Sequence, residues 1–75
     1  MVTDKEQMYN HIATTLWGYM KVNKYGVEKM AHMASMGVQT LYTRLARPET
    51  FRLRELIELA DWMGITVEEL IGKQQ

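Results

Sequence analysis

Between Lys24 and Arg47 the chain gathers the side chains whose types and spacing suit recognition of a duplex. The amide of Gln39 can pair through both its atoms with an adenine edge, and the guanidinium of Arg44 can reach guanine or a phosphate. Val38 and the methyl of Thr43 can meet a thymine methyl. On a helix, Val38, Gln39, Tyr42 and Thr43 would turn outward while Leu41 and Leu45 anchor it. The candidate base-reading set is therefore Val38, Gln39, Thr43 and Arg44. Tyr42, Lys24, Lys29 and Arg47 suit the sugar–phosphate backbone, which fixes register without reading sequence. Arg44 also has a structural role open to it, pairing with Glu49 or capping a helix end.

Catalytic chemistry finds little to work with. His11 and His32 stand apart, without the short spacing that sets two imidazoles on one helix face, and Ser35 is the sole serine. Glu68 and Glu69 are adjacent, so on a helix they diverge instead of sharing a cleft. There is no glycine-rich phosphate loop and no cysteine. The expectation is a protein that is not an enzyme, with no cofactor and no metal.

Positioning these residues requires helices, because the apolar periodicity is helical nearly throughout and nothing alternates as a strand does. The expected class is all-α. A first helix from about Asp4 to about Val22 follows from Met8, Ile12, Leu16 and Met20 recurring every four residues, with Asp4 as its cap. Asn23 to Gly26 breaks it. A second helix is expected over Val27 to Ser35, with Val27, Met30, Ala31 and Ala34 inward and Gly26 as N-cap. The third starts near Gly37 or Val38 and runs to Leu45, Gly37 making its start permissive. Pro48 ends it and makes Pro48-Glu49-Thr50 a loop. Phe51, Leu53, Leu56, Ile57, Ala60 and Met63 describe a fourth helix closed by Gly64. Thr66 and Glu69 have capping-box spacing, which starts a short fifth helix, Val67 to Ile71, stopped by Gly72.

Seventy-five residues form one small domain, 1–75, and the composition, 47% apolar and 24% charged, is that of a globular protein. Net charge is zero but unevenly spread. Met1 to Met20 carries −1. Lys21 to Arg54 carries seven cations against two carboxylates, a net +5, and Glu55 onward carries −4. A positive middle steers a polyanion even when the whole chain is neutral. No apolar run is long enough to span a membrane, and the polar start is unlike a signal peptide, so the expected location is cytoplasmic. Seven methionines suit adaptable core filling. Trp17 and Trp62 are expected in the core or at a dimer contact.

From about Met8 to Ile71 the chain resembles the lambda-repressor-like family, the Cro and xenobiotic-response-element type of helix-turn-helix domain. The resemblance rests on Met30-Ala31, on Met36 and Leu41 around the turn, on the Arg47-Pro48 exit and on ELIELADWMGITVEEL from Glu55 to Leu70. TLYTRLARPETF, Thr40 to Phe51, looks like short versions from bacteriophages and mobile elements. It implies a compact five-helix domain with the helix-turn-helix at about 27–46 and the third helix in the major groove. It also marks departures. Ser35 stands where glycine is usual, with Gly37 two residues on, implying a shifted or looser turn. Val27 replaces a glutamine that braces DNA contacts. Arg52 occupies the hydroxyl cap of the fourth helix, with Thr50 as substitute.

Two functions fit. One is a sequence-specific transcriptional regulator of repressor type, from a phage or mobile element, binding double-stranded DNA as a homodimer through helix five and the start of helix one. The other is a protein-binding module on the same scaffold: an antirepressor, an antitoxin or an inhibitor of a host factor. Gln39, Arg44 and the +5 segment favour the first; zero net charge, Val27 and the methionine-rich second helix favour the second.

Overall fold

The computed structural model describes residues 4–72. Met1 and Lys73, counted above in composition and charge, lie outside the described residues. Five α-helices follow one another: α1 (Asp4–Asn23), α2 (Val27–Met33), α3 (Val38–Ala46), α4 (Leu53–Met63) and α5 (Val67–Ile71), with a 3-10 turn at Pro48–Thr50. Among the described residues there is no strand, and no helix is long and apolar enough to cross a membrane.

Each helix sends one large side chain fully into a common core: Leu16, Met30, Leu41, Leu59 and Leu70 in chain order. Burying such a side chain is worth about 1.5–3 kcal/mol, so no helix can leave without a loss comparable to a good part of a small domain's stability. Ala31 and Ala34, both buried, bring no bulk where α2 meets its neighbours. The Cα radius of gyration, 11.6 Å, matches the value of about 11 Å expected for a compact chain of this length.

The first-helix stripe behaves as its spacing requires, with Ile12, Leu16 and Met20 buried and Met8 packed against the core. Asp4 is not a cap, since it already lies in the first turn of α1. Helix two ends at Met33, two residues before the expected Ser35, because Ser35 takes a left-handed backbone, φ 56°. That places the turn at Ser35 itself; it is neither shifted nor loosened toward Gly37. The amides of Ser35 and Met36 donate back to His32 and Ala31 at 3.1 and 2.9 Å, a Schellman closure. Gly37 is the N-cap of α3 with φ −73°, a conformation open to any residue, so its start needs no permissive glycine.

Further on, Pro48–Thr50 is a 3-10 turn instead of an irregular loop, fixed by the Thr50 and Phe51 amides donating to Arg47 and Pro48. Phe51 precedes α4 and is not part of it. Of the apolar residues expected on α4, Ala60 is buried and Leu56 and Met63 pack against the core. Glu55, Leu59 and Ala60 are buried, while Leu53 and Ile57 are 67% and 48% exposed. Glu55 is the physical reason: its carboxylate is bound by partners on the protein side of α4, and Leu59 follows one turn later.

Candidate nucleic-acid interface

α3 is strongly two-faced. Leu41 and Leu45 are buried, and Val38 packs against the core instead of turning fully outward. Gln39, Tyr42, Thr43 and Ala46 lie exposed on the opposite side. Their spacing of three and four residues makes them one continuous ridge. The amide of Gln39 makes no hydrogen bond with another described residue, so both of its atoms remain available. Thr43 Oγ1 donates to the Gln39 carbonyl at 3.1 Å, which fixes its rotamer and turns its methyl away from that bond.

Arg44 sits elsewhere. Its Nε donates to Glu55 Oε1 at 3.1 Å and its side chain is only 18% exposed, against 4% for that of Glu55. The expected pairing with Glu49 is not made; Glu49 pairs with Arg47 at 3.4 Å. Arg44 therefore ties α3 to α4 and is withdrawn from the outward ridge. Glu55 also accepts the Arg52 backbone amide at 2.9 Å, closing the start of α4. Thr50 does not substitute as cap, since its hydroxyl donates to the Arg47 carbonyl at 2.7 Å. Burial pushes the Glu55 carboxyl up, but the Arg52 amide, the hydrogen bond from Arg44 and the charges of Arg44 and Arg54 outweigh it. The net result lies below the ordinary value of 4.5.

The backbone-contact candidates are distributed over the turn before α2, α2 itself, and the middle and C-terminal end of α3. Lys24 is exposed, φ 57°, at the left-handed position that closes α1, with the Tyr25 amide donating to Met20 at 2.9 Å. Lys29 holds its ammonium 4.8 Å from the centre of the Tyr25 ring. Tyr25 in turn packs with Trp62 at 5.4 Å and Tyr19 at 6.0 Å, so a three-ring cluster restrains that lysine. Trp62 thus joins the core's margin, whereas Trp17 is 45% exposed. Tyr42 is 48% exposed on the ridge. Arg52 was missed as a candidate. It is exposed and makes no side-chain ion pair among the described residues, and the signal for it was the absence of a hydroxyl at that cap.

The +5 segment is less free than its composition implies. Arg44, Arg47 and Arg54 all have carboxylate partners, Arg54 pairing with Glu58. Lys21, Lys24, Lys29 and Arg52 have none among the described residues.

The residues considered for catalysis do not converge. His11 Nε2 lies 3.1 Å from the Glu69 carbonyl, which can only accept, so that nitrogen carries the proton and braces α1 on α5. Glu69 caps α5, and among the described residues no group of His, Asp and Glu can hold a metal ion. No family model, curated protein or solved structure matches the chain.

Proposed function

We propose that this chain is a lambda-repressor-like helix-turn-helix regulator that binds double-stranded DNA with α3 in the major groove. It acts as a small cytoplasmic repressor of phage or mobile-element type, two copies on a short palindrome. One observation carries the reading: α3 is fixed to the core on one side by Leu41, Leu45 and the Arg44–Glu55 pair, and leaves Gln39, Tyr42 and Thr43 exposed on the other. A helix held this rigidly with a polar ridge free is the form that reads base edges.

Gln39 pairs with adenine in this reading and the Thr43 methyl meets thymine, each contact discriminating by about 1–3 kcal/mol. Val38 contributes only the edge left by its packing. Arg44 positions the helix and touches no base. Lys24, Lys29, Arg47, Tyr42 and Arg52 hold the phosphates, and four cations per protomer give two copies on a palindrome a log–log salt slope of about −7.

The test is binding of the purified chain to random-sequence duplex at several salt concentrations, followed by selection of enriched sites. A palindrome whose adenine preference relaxes in Gln39→Ala, with Lys24→Ala weakening all sites alike, supports the reading. Failure to bind even at low salt overturns it and turns the search toward a protein partner.

A further inference from the structure

We propose that the outward face of α4 pairs with a second copy of this chain, the two α4 helices running antiparallel. This deepens the homodimer element of the reading above, and it concerns the free protein.

Of the exposed large apolar side chains among the described residues, Trp17, Val22, Met33, Tyr42, Leu53 and Ile57, only Leu53 and Ile57 share a helix at a spacing of four. That spacing sets them side by side on one face. The fold does not use them, because α4 already buries Glu55, Leu59 and Ala60. α5 and α1 pack on each other, with His11 bonded to Glu69 and its ring lying where a Cβ on Gly72 would fall.

Charge decides what covers this face. Arg54 and Glu58 flank the apolar pair, and Asp61, exposed and without an ion pair among the described residues, lies one turn beyond Ile57. The face thus carries the Arg54–Glu58 pair toward its start and an unpaired carboxylate, Asp61, at its end. A parallel copy would leave both Asp61 carboxylates without a cation opposite them. An antiparallel copy with Ile57 on the two-fold axis brings Arg54 of each chain beside Asp61 of the other. Three residues before Ile57 and four after it lie about 4.5 and 6 Å along the helix, so the two charges come level. The Ile57 side chains meet at the axis and Leu53 closes over each flank. The match is made twice by one patch, as an isologous contact requires.

A single helix pair buries less than the roughly 1,200 Å² typical of a stable interface. The dimer is accordingly weak, with a dissociation constant on the order of 100 μM, and free protein at low micromolar concentration is monomeric.

Sedimentation equilibrium of the whole chain without DNA, from about 10 μM to about 1 mM, reads this directly. The wild-type mass rises toward twice the monomer across that range, Ile57→Asp stays monomeric with an unchanged circular dichroism spectrum, and Asp61→Lys weakens pairing about three- to fivefold. Because the chain has no cysteine, Ile57→Cys adds a second measure: it forms a covalent dimer on oxidation faster than Val22→Cys, an exposed control. A wild-type chain monomeric to 1 mM, a dimer untouched by Ile57→Asp, or equal crosslinking of the two cysteine variants overturns the proposal. No DNA enters these measurements, so operator binding stands or falls separately.

Discussion

The helices flanking the central segment and those that close the molecule end in the same hydrogen bonds but with different residues. Tyr25, Met36 and Ile65 each send an amide back five residues, at 2.9, 2.9 and 3.0 Å. The left-handed residue before each is Lys24, Ser35 and Gly64 respectively. Only the last is the residue that bears this conformation without a steric penalty. The starts differ in the same direction. α4 and α5 return a carboxylate to the first amide, Glu55 to Arg52 and Glu69 to Thr66, whereas α2 and α3 begin on Gly26 and Gly37 with no side-chain cap. Local preference and backbone agree at Gly64, Thr66 and Gly72 and conflict at Lys24 and Ser35. In proteins such conflicts collect where something other than stability selects the residue. In the DNA-binding reading proposed above, the lysine at this left-handed turn is selected by a phosphate and not by the fold.

The comparison is tested most severely at the contact that joins the two regions. Glu55→Ala leaves Arg44 unpaired and the first amide of α4 uncapped, and removing one partner of a buried pair costs about 3–5 kcal/mol. With Arg44 18% exposed, about 3 kcal/mol is expected, a fall in Tm of more than about 12 °C; a fall under about 4 °C refutes the tether. The same contact sets an acid limit. Since the Glu55 carboxyl lies below its ordinary 4.5, its contribution is fully present above about pH 4.5 and is lost as pH falls through the lowered value. Glu55→Gln should flatten the Tm profile in that acid range.

Gly72→Ala comes next, at about 2 kcal/mol. It combines a φ of +82° with a Cβ 2.8 Å from His11 Cγ. Gly64→Ala shares the backbone strain, φ +74°, but meets nothing within 4 Å, so about 1 kcal/mol is expected. Denaturant melts giving equal losses for the two would remove the His11 contact from the account. Thr66→Ala, which deletes the hydroxyl accepting the Glu69 amide at 3.0 Å, should also cost about 1 kcal/mol.

The smallest effects carry the opposite sign. Ser35→Gly and Lys24→Gly relieve left-handed strain and should each stabilise by about 0.5 kcal/mol, after the added freedom of the unfolded chain is deducted. They separate in binding: only the lysine change should weaken DNA association. Equal affinity in the two variants would mean that Lys24 has no ligand to serve.

Elements were legible in the sequence where a short-range rule applies. The four-residue recurrence of Ile12, Leu16 and Met20, the break at Pro48, the Thr66–Glu69 box and the Gly64 stop each act within a few residues, and each is where it was expected. The face of α4 was legible only in part: Leu56, Ala60 and Met63 lie in or against the core, but Leu53 and Ile57 do not. The capture of Glu55 by Arg44 and by the Arg52 amide sets that phase. That pair spans eleven residues across the Pro48–Thr50 turn, so no local pattern announces it. Of the candidate site, the outward place of Gln39, Tyr42 and Thr43 could be read from phase alone, while the pairing of Arg44 with Glu55 could not, because a side chain long enough to reach a base is also long enough to reach the neighbouring helix. Ser35 shows the same limit: its place in the turn was marked, but the sign of its φ was not.

The split between the two faces of α3 makes the ridge a replaceable part. Gln39, Tyr42, Thr43 and Ala46 point away from every contact that holds the helix, and exposed substitutions of this kind usually change stability by no more than about 0.5 kcal/mol. A library randomised at those four positions, with glycine and proline left out, should return mostly folded proteins. Whatever this surface recognises, its specificity can drift or be engineered without renegotiating the fold beneath it.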